Sequence, residues 1–94
     1  MKLKIKAIAG TLESSDIHII VEPAESGIEI NLESGVMAQF GDSIQEVIKE
    51  TLKELNVTAV KITANDKGAI DPVIKSRVQT AILRSAEIST FQWN

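Results

Sequence analysis

Residues 17–32 read IHIIVEPAESGIEINL, and this stretch decides the fold class. Apolar side chains alternate with other side chains from 17 to 22, which is the two-residue period of a half-buried strand. Pro23 ends this run, residues 24–27 are turn formers, and the alternation resumes from Ile28 to Leu32. We therefore predict two strands that are joined as a β-hairpin.

Two stretches on either side of this pair have the same period. Leu3, Ile5 and Ala7 alternate with lysines, which predicts a short strand whose charged face suits a sheet edge. Residues 57–64 alternate as well and are rich in β-branched side chains, so we predict a strand from Val57 to Ala64.

A helical stripe fills the interval between the hairpin and the last strand. Its apolar members recur at helical spacing: Val36, Phe40, Ile44, Val47, Ile48, Leu52 and Leu55. Gly41 costs such a helix about 1 kcal/mol relative to alanine. A break at Gly41 with Asp42 as a new N-cap is the alternative, but the unbroken stripe favours one long helix that Asn56 stops.

The last helix is predicted from its start signal. Asn65–Gly68 is a turn, Asp71 is expected to be the N-cap, and Pro72 suits the first helical position. We expect the packed face to consist of Ile74, Val78, Ala81, Ile82 and Ser85. The order strand-strand-strand-helix-strand-helix predicts an α+β two-layer sandwich, with residues 1–94 forming a single domain.

Composition excludes several classes of function. The chain has 94 residues, a net charge of −3 and no dense basic run, which argues against nucleic-acid binding. It has no cysteine for a disulfide or a thiolate site, and His18 alone cannot build a metal site, so we expect His18 to be a surface or interface residue of its strand. Since no apolar run approaches the about 20 residues of a membrane span, a cytoplasmic location is the default expectation.

The candidate site is the segment from Gly10 to Asp16. Ser14 and Ser15 lie between Glu13 and Asp16, two acidic residues that we expect to be solvated charges. No histidine or lysine lies within several residues to activate either serine, so an exposed hydroxyl here suits modification by another enzyme better than catalysis. Residue chemistry alone favours a plain turn begun by Ser15 and Asp16.

Three blocks of sequence point to a known family. They are Ala9–Ser14 (AGTLES), Gln39–Asp42 (QFGD) and Asp66–Asp71 (DKGAID). In these blocks, and in their order and spacing, the chain resembles the acyl carrier protein of citrate lyase, the small gamma subunit of that complex. The resemblance covers nearly the whole chain and implies that Ser14 carries a covalent 2'-(5''-phosphoribosyl)-3'-dephospho-coenzyme A group.

The resemblance also implies a function and partners. The chain would be a non-catalytic carrier that holds acetyl and citryl thioesters while other subunits convert citrate to acetate plus oxaloacetate. Those partners would be the alpha acyl transferase and the beta citryl lyase, together with a prosthetic-group transferase and an acetylating ligase. A related complex of the malonate decarboxylase type is the alternative.

Three further features need an interpretation. Ser43, in Gly41–Ile44, looks like the phosphopantetheine site of ordinary acyl carriers, but those are helix bundles and Ser43 falls inside a helical stripe. Lys67-Gly68 suggests phosphate contact, yet without a glycine-rich loop it indicates a turn. Phe91 and Trp93 in the tail either help to seat the chain in a complex or fold back on the domain.

Overall fold

The computed structural model describes residues 1–35 and 37–88. Its elements, in chain order, are the strands β1 (Ala7–Ala9), β2 (Ile17–Pro23) and β3 (Gly27–Ser34), the helix α1 (Met37–Glu54), the strand β4 (Ala59–Asp66) and the helix α2 (Asp71–Ser85). The predicted α+β class and the predicted element order are therefore confirmed.

The predicted β-hairpin is wrong, because β2 and β3 are not neighbours. The sheet order is β1-β2-β4-β3, so β4 lies between them. β4 is antiparallel to β2, with Ala64 opposite Ile19, and parallel to β3, with Ile62 opposite Ile30. Parallel neighbours need a crossover, and α1 supplies it between β3 and β4.

The short link between β2 and β3 is long enough for this arrangement. It must cross the end of β4, a distance of two strand spacings or about 10 Å. The chain extends at most about 3.3–3.6 Å per residue, so the four peptide units from Pro23 to Gly27 span the gap. β4 is a central strand, and its alternate residues are fully buried. β3 is an edge strand and is largely exposed.

Both helices pack on one face of the sheet. The buried side chains of β2 are Ile17, Ile19 and Val21, and those of β4 include Val60, Ile62 and Ala64. They form one core with Ile44, Ile48 and Leu52 of α1 and with the predicted face of α2, namely Ile74, Val78, Ala81, Ile82 and Ser85. This is the predicted two-layer arrangement, and it leaves the opposite face of the sheet without a helical layer over the described residues.

The helix α1 is continuous through Gly41, which confirms the single-helix interpretation and rejects the break with Asp42 as N-cap. Gly41 itself is buried. Asn56 has φ 56°, the left-handed conformation expected of a residue that stops a helix. Val36, the first predicted member of the stripe, lies outside the described residues.

Two predicted boundaries need correction. The first strand is Ala7–Ala9, and the segment before it bends towards α2, where the N–H groups of Lys4 and Ile5 donate to the Ser85 carbonyl at 2.8 and 3.1 Å. Ile5 is consequently 48% exposed. Asp71 is not an N-cap: Ile70 occupies that position without a side-chain cap, and Asp71 is the first residue of the helix.

The predicted turn over 65–68 is shorter than expected. Asn65 and Asp66 still belong to β4, and the turn proper begins with Lys67. Gly68 has φ 95°, so the glycine does serve the turn as predicted. Across the residues that are described, no helix is long and apolar enough to cross a membrane.

The strand order predicts a hydrogen-exchange pattern. Because β4 has a partner on each side, we expect successive amides from Val60 to Asn65 to be protected, whereas alternate amides of β3 should exchange fast at the sheet edge. Amide exchange measured by NMR at neutral pH distinguishes the two patterns. Fast alternate amides in β4, with full protection in β3, would instead support the hairpin.

Candidate functional site

Ser14 lies at the tip of the loop that joins β1 to β2. We call residues 10–16 the attachment loop, after the attachment that the sequence predicts for Ser14; the loop begins at Gly10 and returns to the sheet at Asp16. Ser14 is exposed, and over residues 1–35 and 37–88 no group hydrogen-bonds its hydroxyl. The hydroxyl is therefore open to another molecule.

Gly10 allows the attachment loop to begin close to β2. It has φ 84°, and a Cβ built on it would lie 1.8 Å from the carbonyl oxygen of Ile17. Such a separation is far inside van der Waals contact with a backbone atom that is fixed in the sheet. Only glycine fits here without moving the strand or the loop.

Asp16 closes the attachment loop with its carboxylate. The Thr11 N–H and hydroxyl donate to Oδ2 at 3.1 and 2.7 Å, and the Ile17 N–H donates to Oδ1 at 2.7 Å. Asp16 follows Thr11 by five positions, so these bonds tie the two ends of the loop together. The prediction that Asp16 is a solvated charge is thus wrong, whereas Glu13 is exposed as expected.

Arg77 of α2 anchors the same carboxylate to the helix layer. Its Nε donates to Oδ1 and its Nη2 donates to Oδ2, both at 3.0 Å, in a bidentate pair. These bonds, with that from the Thr11 hydroxyl, hold the pKa of the Asp16 carboxyl well below its usual range against the opposing effect of desolvation. The attachment loop is therefore fixed to both the sheet and α2.

The second half of the attachment loop lies against the end of β4. Ser15 has φ 66°, and its N–H donates to the Lys67 carbonyl at 2.8 Å. The Lys67 N–H donates in turn to the Asp16 carbonyl at 2.9 Å, which continues the β2–β4 ladder beyond the strands. Lys67 is thereby brought beside the serine pair, although it is far away in sequence.

A second buried aspartate organises the turn that contains Lys67. Asp66 is 1% exposed and accepts hydrogen bonds from the Ser34 hydroxyl at 2.9 Å, the Gly68 N–H at 3.1 Å and the Ala69 N–H at 3.0 Å. These bonds fix the turn after β4 and tie it to the end of β3. Two loops, each held by a buried carboxylate, thus meet at one end of the sheet.

A surface depression of about 420 Å³ lies between the two loops, and we call it the Ser14 depression. Its lining residues are Leu12, Ser14, Gly35, Asp66, Lys67 and Gly68. The depression thus combines an exposed hydroxyl, open space beside it and one exposed lysine. Leu12, which is 57% exposed, adds an apolar wall.

The described residues offer Ser14 no catalytic partner. His18 lies half-buried on β2, as expected of a strand residue, and does not line the Ser14 depression. Within the described ranges no group of three histidines or carboxylates is arranged to hold a metal ion. Since Lys67 is the only basic residue among the described residues that line the depression, the arrangement suits attachment of a group better than activation of a nucleophile.

The other predicted site residues lie elsewhere. Ser43 is exposed in the interior of α1 and lines a separate depression of about 290 Å³. It is not at the helix start, where a phosphopantetheine serine of an ordinary acyl carrier is expected. Phe91 and Trp93 lie outside the described residues.

Comparison with known proteins decides the family. Residues 4–85 match the family model described as Malonate decarboxylase delta subunit (MdcD). The citrate lyase acyl carrier protein of Lactiplantibacillus plantarum is 52% identical over 93 residues, which is 99% of this chain and 97% of that protein. That of Clostridium perfringens is 51% identical over 94 residues, which is 99% of this chain and 93% of that protein. This chain belongs to the citrate lyase acyl carrier protein family.

The fold of this carrier also agrees with that of a chain in a solved structure. One chain in the crystal structure of a Pseudomonas malonate decarboxylase hetero-tetramer in complex with malonate superposes with a TM-score of 0.77, covering 89% of this chain and 87% of that one. At 20% identity this likeness concerns the fold alone. Membership in the citrate lyase acyl carrier protein family makes the chain a non-catalytic acyl carrier with a prosthetic group.

The hydrogen bonds of Asp16 and its ion pair with Arg77 predict that the stability of this carrier depends on pH. A carboxyl whose pKa is lowered on folding stabilises the fold above its unfolded pKa of about 3.9, and this contribution fades as the pH falls towards the folded value. We expect Asp16→Asn to reduce the free energy of unfolding by about 2 kcal/mol at neutral pH, since Arg77 is 40% exposed and the pair is partly screened. Near pH 3 the difference should be smaller.

Urea unfolding at a series of pH values measures this difference. Glu13→Gln is the matched control, because it removes a neighbouring exposed charge and should change stability by less than about 0.5 kcal/mol. If the difference in unfolding free energy between wild type and Asp16→Asn stayed constant from neutral pH to about pH 3, the stabilising role of an ionised Asp16 would be contradicted.

Proposed function

We propose that Ser14 is the residue to which the prosthetic arm of this acyl carrier is attached. The observation that carries the proposal is the exposed Ser14 hydroxyl, which stands at the tip of a loop tied down on both sides. An enzyme that adds the arm needs access to one oxygen atom, and the acyl carrier role needs that oxygen to be held in a constant position. The attachment loop meets both requirements.

We further propose that the arm is 2'-(5''-phosphoribosyl)-3'-dephospho-coenzyme A, joined to the Ser14 Oγ through a phosphodiester. Such a group supplies a terminal thiol on which acyl groups are held as thioesters. The Ser14 depression leaves about 420 Å³ next to the hydroxyl, and attachment would not disturb the hydrophobic core. Because the chain has no cysteine, no side chain of it competes for that thiol by disulfide formation.

The chain's own residues have a mechanical role in this function. Gly10 and Asp16 shape the attachment loop, and Arg77 fixes it to α2. A tether on a fixed anchor keeps its free end near neighbouring active sites, where its effective concentration is about millimolar or higher. Rigid presentation of Ser14 is therefore the chain's contribution to turnover.

The partners follow from the same proposal. The carrier would serve an alpha acyl transferase and a beta citryl lyase in one complex that converts citrate to acetate plus oxaloacetate. A prosthetic-group transferase would load Ser14, and a ligase would acetylate the arm. We place this activity in the cytoplasm, with neither nucleic acid nor membrane as a partner.

A malonate decarboxylase-type complex is the second candidate, because the matched family model bears the name of its delta subunit. Sequence identity favours the citrate lyase complex. The two citrate lyase carriers are 51–52% identical over nearly the full chain, against 20% for the malonate decarboxylase chain. The phosphopantetheine alternative at Ser43 has no support from the fold, because this sheet-based chain is not a helix bundle.

Mass spectrometry tests the attachment site. After co-expression with the prosthetic-group transferase, we expect one added arm in the wild type and none in Ser14→Ala. The variant should keep its stability within about 0.5 kcal/mol, because the Ser14 hydroxyl is exposed and makes no hydrogen bond to the described residues. Intact mass and peptide mapping identify the modified residue.

Two matched variants serve as controls for the attachment site. Ser15→Ala changes the neighbouring hydroxyl, and Ser43→Ala changes the rival site in α1; both should still accept the arm. An arm found on Ser15 or on Ser43, or a Ser14→Ala protein that is fully loaded, would refute the assignment. Unmodified wild-type chain mixed with both partner subunits should not cleave citrate.

A further inference from the structure

We propose that Lys67 is the counter-ion of the phosphodiester on Ser14 and so holds the first part of the arm over the Ser14 depression. This inference rests on the proposed attachment at Ser14. It gives a role to the Lys67-Gly68 pair, which the sequence alone indicates only as a turn. The ligand is an anionic phosphate diester, and the contact is ionic.

The two residues face the same space. Both line the Ser14 depression, and the hydrogen bond from the Ser15 N–H to the Lys67 carbonyl fixes the backbone of one loop against the other. Lys67 is exposed, and its four-carbon stem lets the ammonium adjust to a phosphate beside it. Neither partner has to leave its place in the fold for the contact to form.

Charges around the depression create a need for such a cation. Glu13 is exposed next to Ser14, and Asp66 is one of the residues that line the depression. A phosphodiester on Ser14 would add a further negative charge. Arg77 is paired with Asp16, and among the described residues that line the depression Lys67 is the one cation.

Four backbone donors near the depression are already used. The N–H groups of Gly68 and Ala69 donate to Asp66, and those of Ser15 and Lys67 donate across the two loops. These four groups are therefore not available to a phosphate, and a side-chain cation would supply the balancing charge. The Lys67 ammonium has no carboxylate within 4.0 Å in the described part of the chain, which leaves its three donors open to the phosphate.

Amine acetylation read by mass spectrometry tests the contact. We would label the chain with and without its arm and compare the labelling rate of Lys67 with that of Lys61, an exposed lysine on β4 that does not line the depression. At low salt we expect the arm to slow labelling of Lys67 by about two- to fivefold, as for an exposed ion pair, and to leave Lys61 unchanged. In about 1 M salt the protection should largely disappear, because the Debye length falls to about 3 Å.

The outcomes separate this inference from the attachment itself. If mapping finds the arm on Ser14 but Lys67 is labelled equally fast in both forms, the counter-ion role is wrong while the attachment stands. Protection that persists in high salt means that the arm covers Lys67 sterically, which also overturns the ionic contact. If mapping finds no arm on Ser14, both proposals fail.

A pair of variants provides a second readout that acetylation chemistry does not affect. In Lys67→Gln the ³¹P resonance of the phosphodiester should shift relative to wild type, and in Lys61→Gln it should not. Both lysines are exposed, so neither variant is expected to unfold the chain. The same ³¹P position in all three loaded proteins would contradict the contact.

Discussion

The functional end of this protein depends on one buried carboxylate. Asp16 accepts hydrogen bonds from Thr11, Ile17 and Arg77, so a single side chain joins the attachment loop, the strand β2 and the helix α2. Burial of a charge is unfavourable unless it is paired and hydrogen-bonded, and here a bidentate guanidinium and neighbouring donors meet that condition. Without the carboxylate, the loop would lose the contacts that close it and the one that holds it to α2.

The same design recurs on the neighbouring loop and explains how a small chain can hold the proposed attachment site in place. Asp66 accepts hydrogen bonds from the N–H groups that follow β4, as Asp16 accepts them from N–H groups of the attachment loop and β2. Strand pairing of β2 with β4 then sets the two loops side by side at one end of the sheet. An acyl carrier needs no pocket that shifts the pKa values of acids and bases. It needs an accessible oxygen atom on a loop that is held in place, and the proposed attachment residue Ser14 has both.

Periodicity in the sequence predicts the elements but not all of their neighbours. The alternation of residues 17–32 and 57–64 gives strands, and the apolar stripe gives a single α1 through Gly41, because these patterns depend on local geometry. The pairing of β3 with β4 instead of β2 has no local signal. Asp16 looks solvated because its partner Arg77 lies 61 residues away, and Lys67 comes beside Ser14 only through strand pairing.

The central claim is that Asp16 and Arg77 hold the attachment loop rigid. It is tested most directly by ¹⁵N backbone relaxation of the chain without its arm. We expect order parameters of about 0.85 for residues 11–15 in the wild type and below about 0.6 in Arg77→Ala, with β4 unchanged in both. A loop that is equally ordered in the variant, or already mobile in the wild type, would contradict the account.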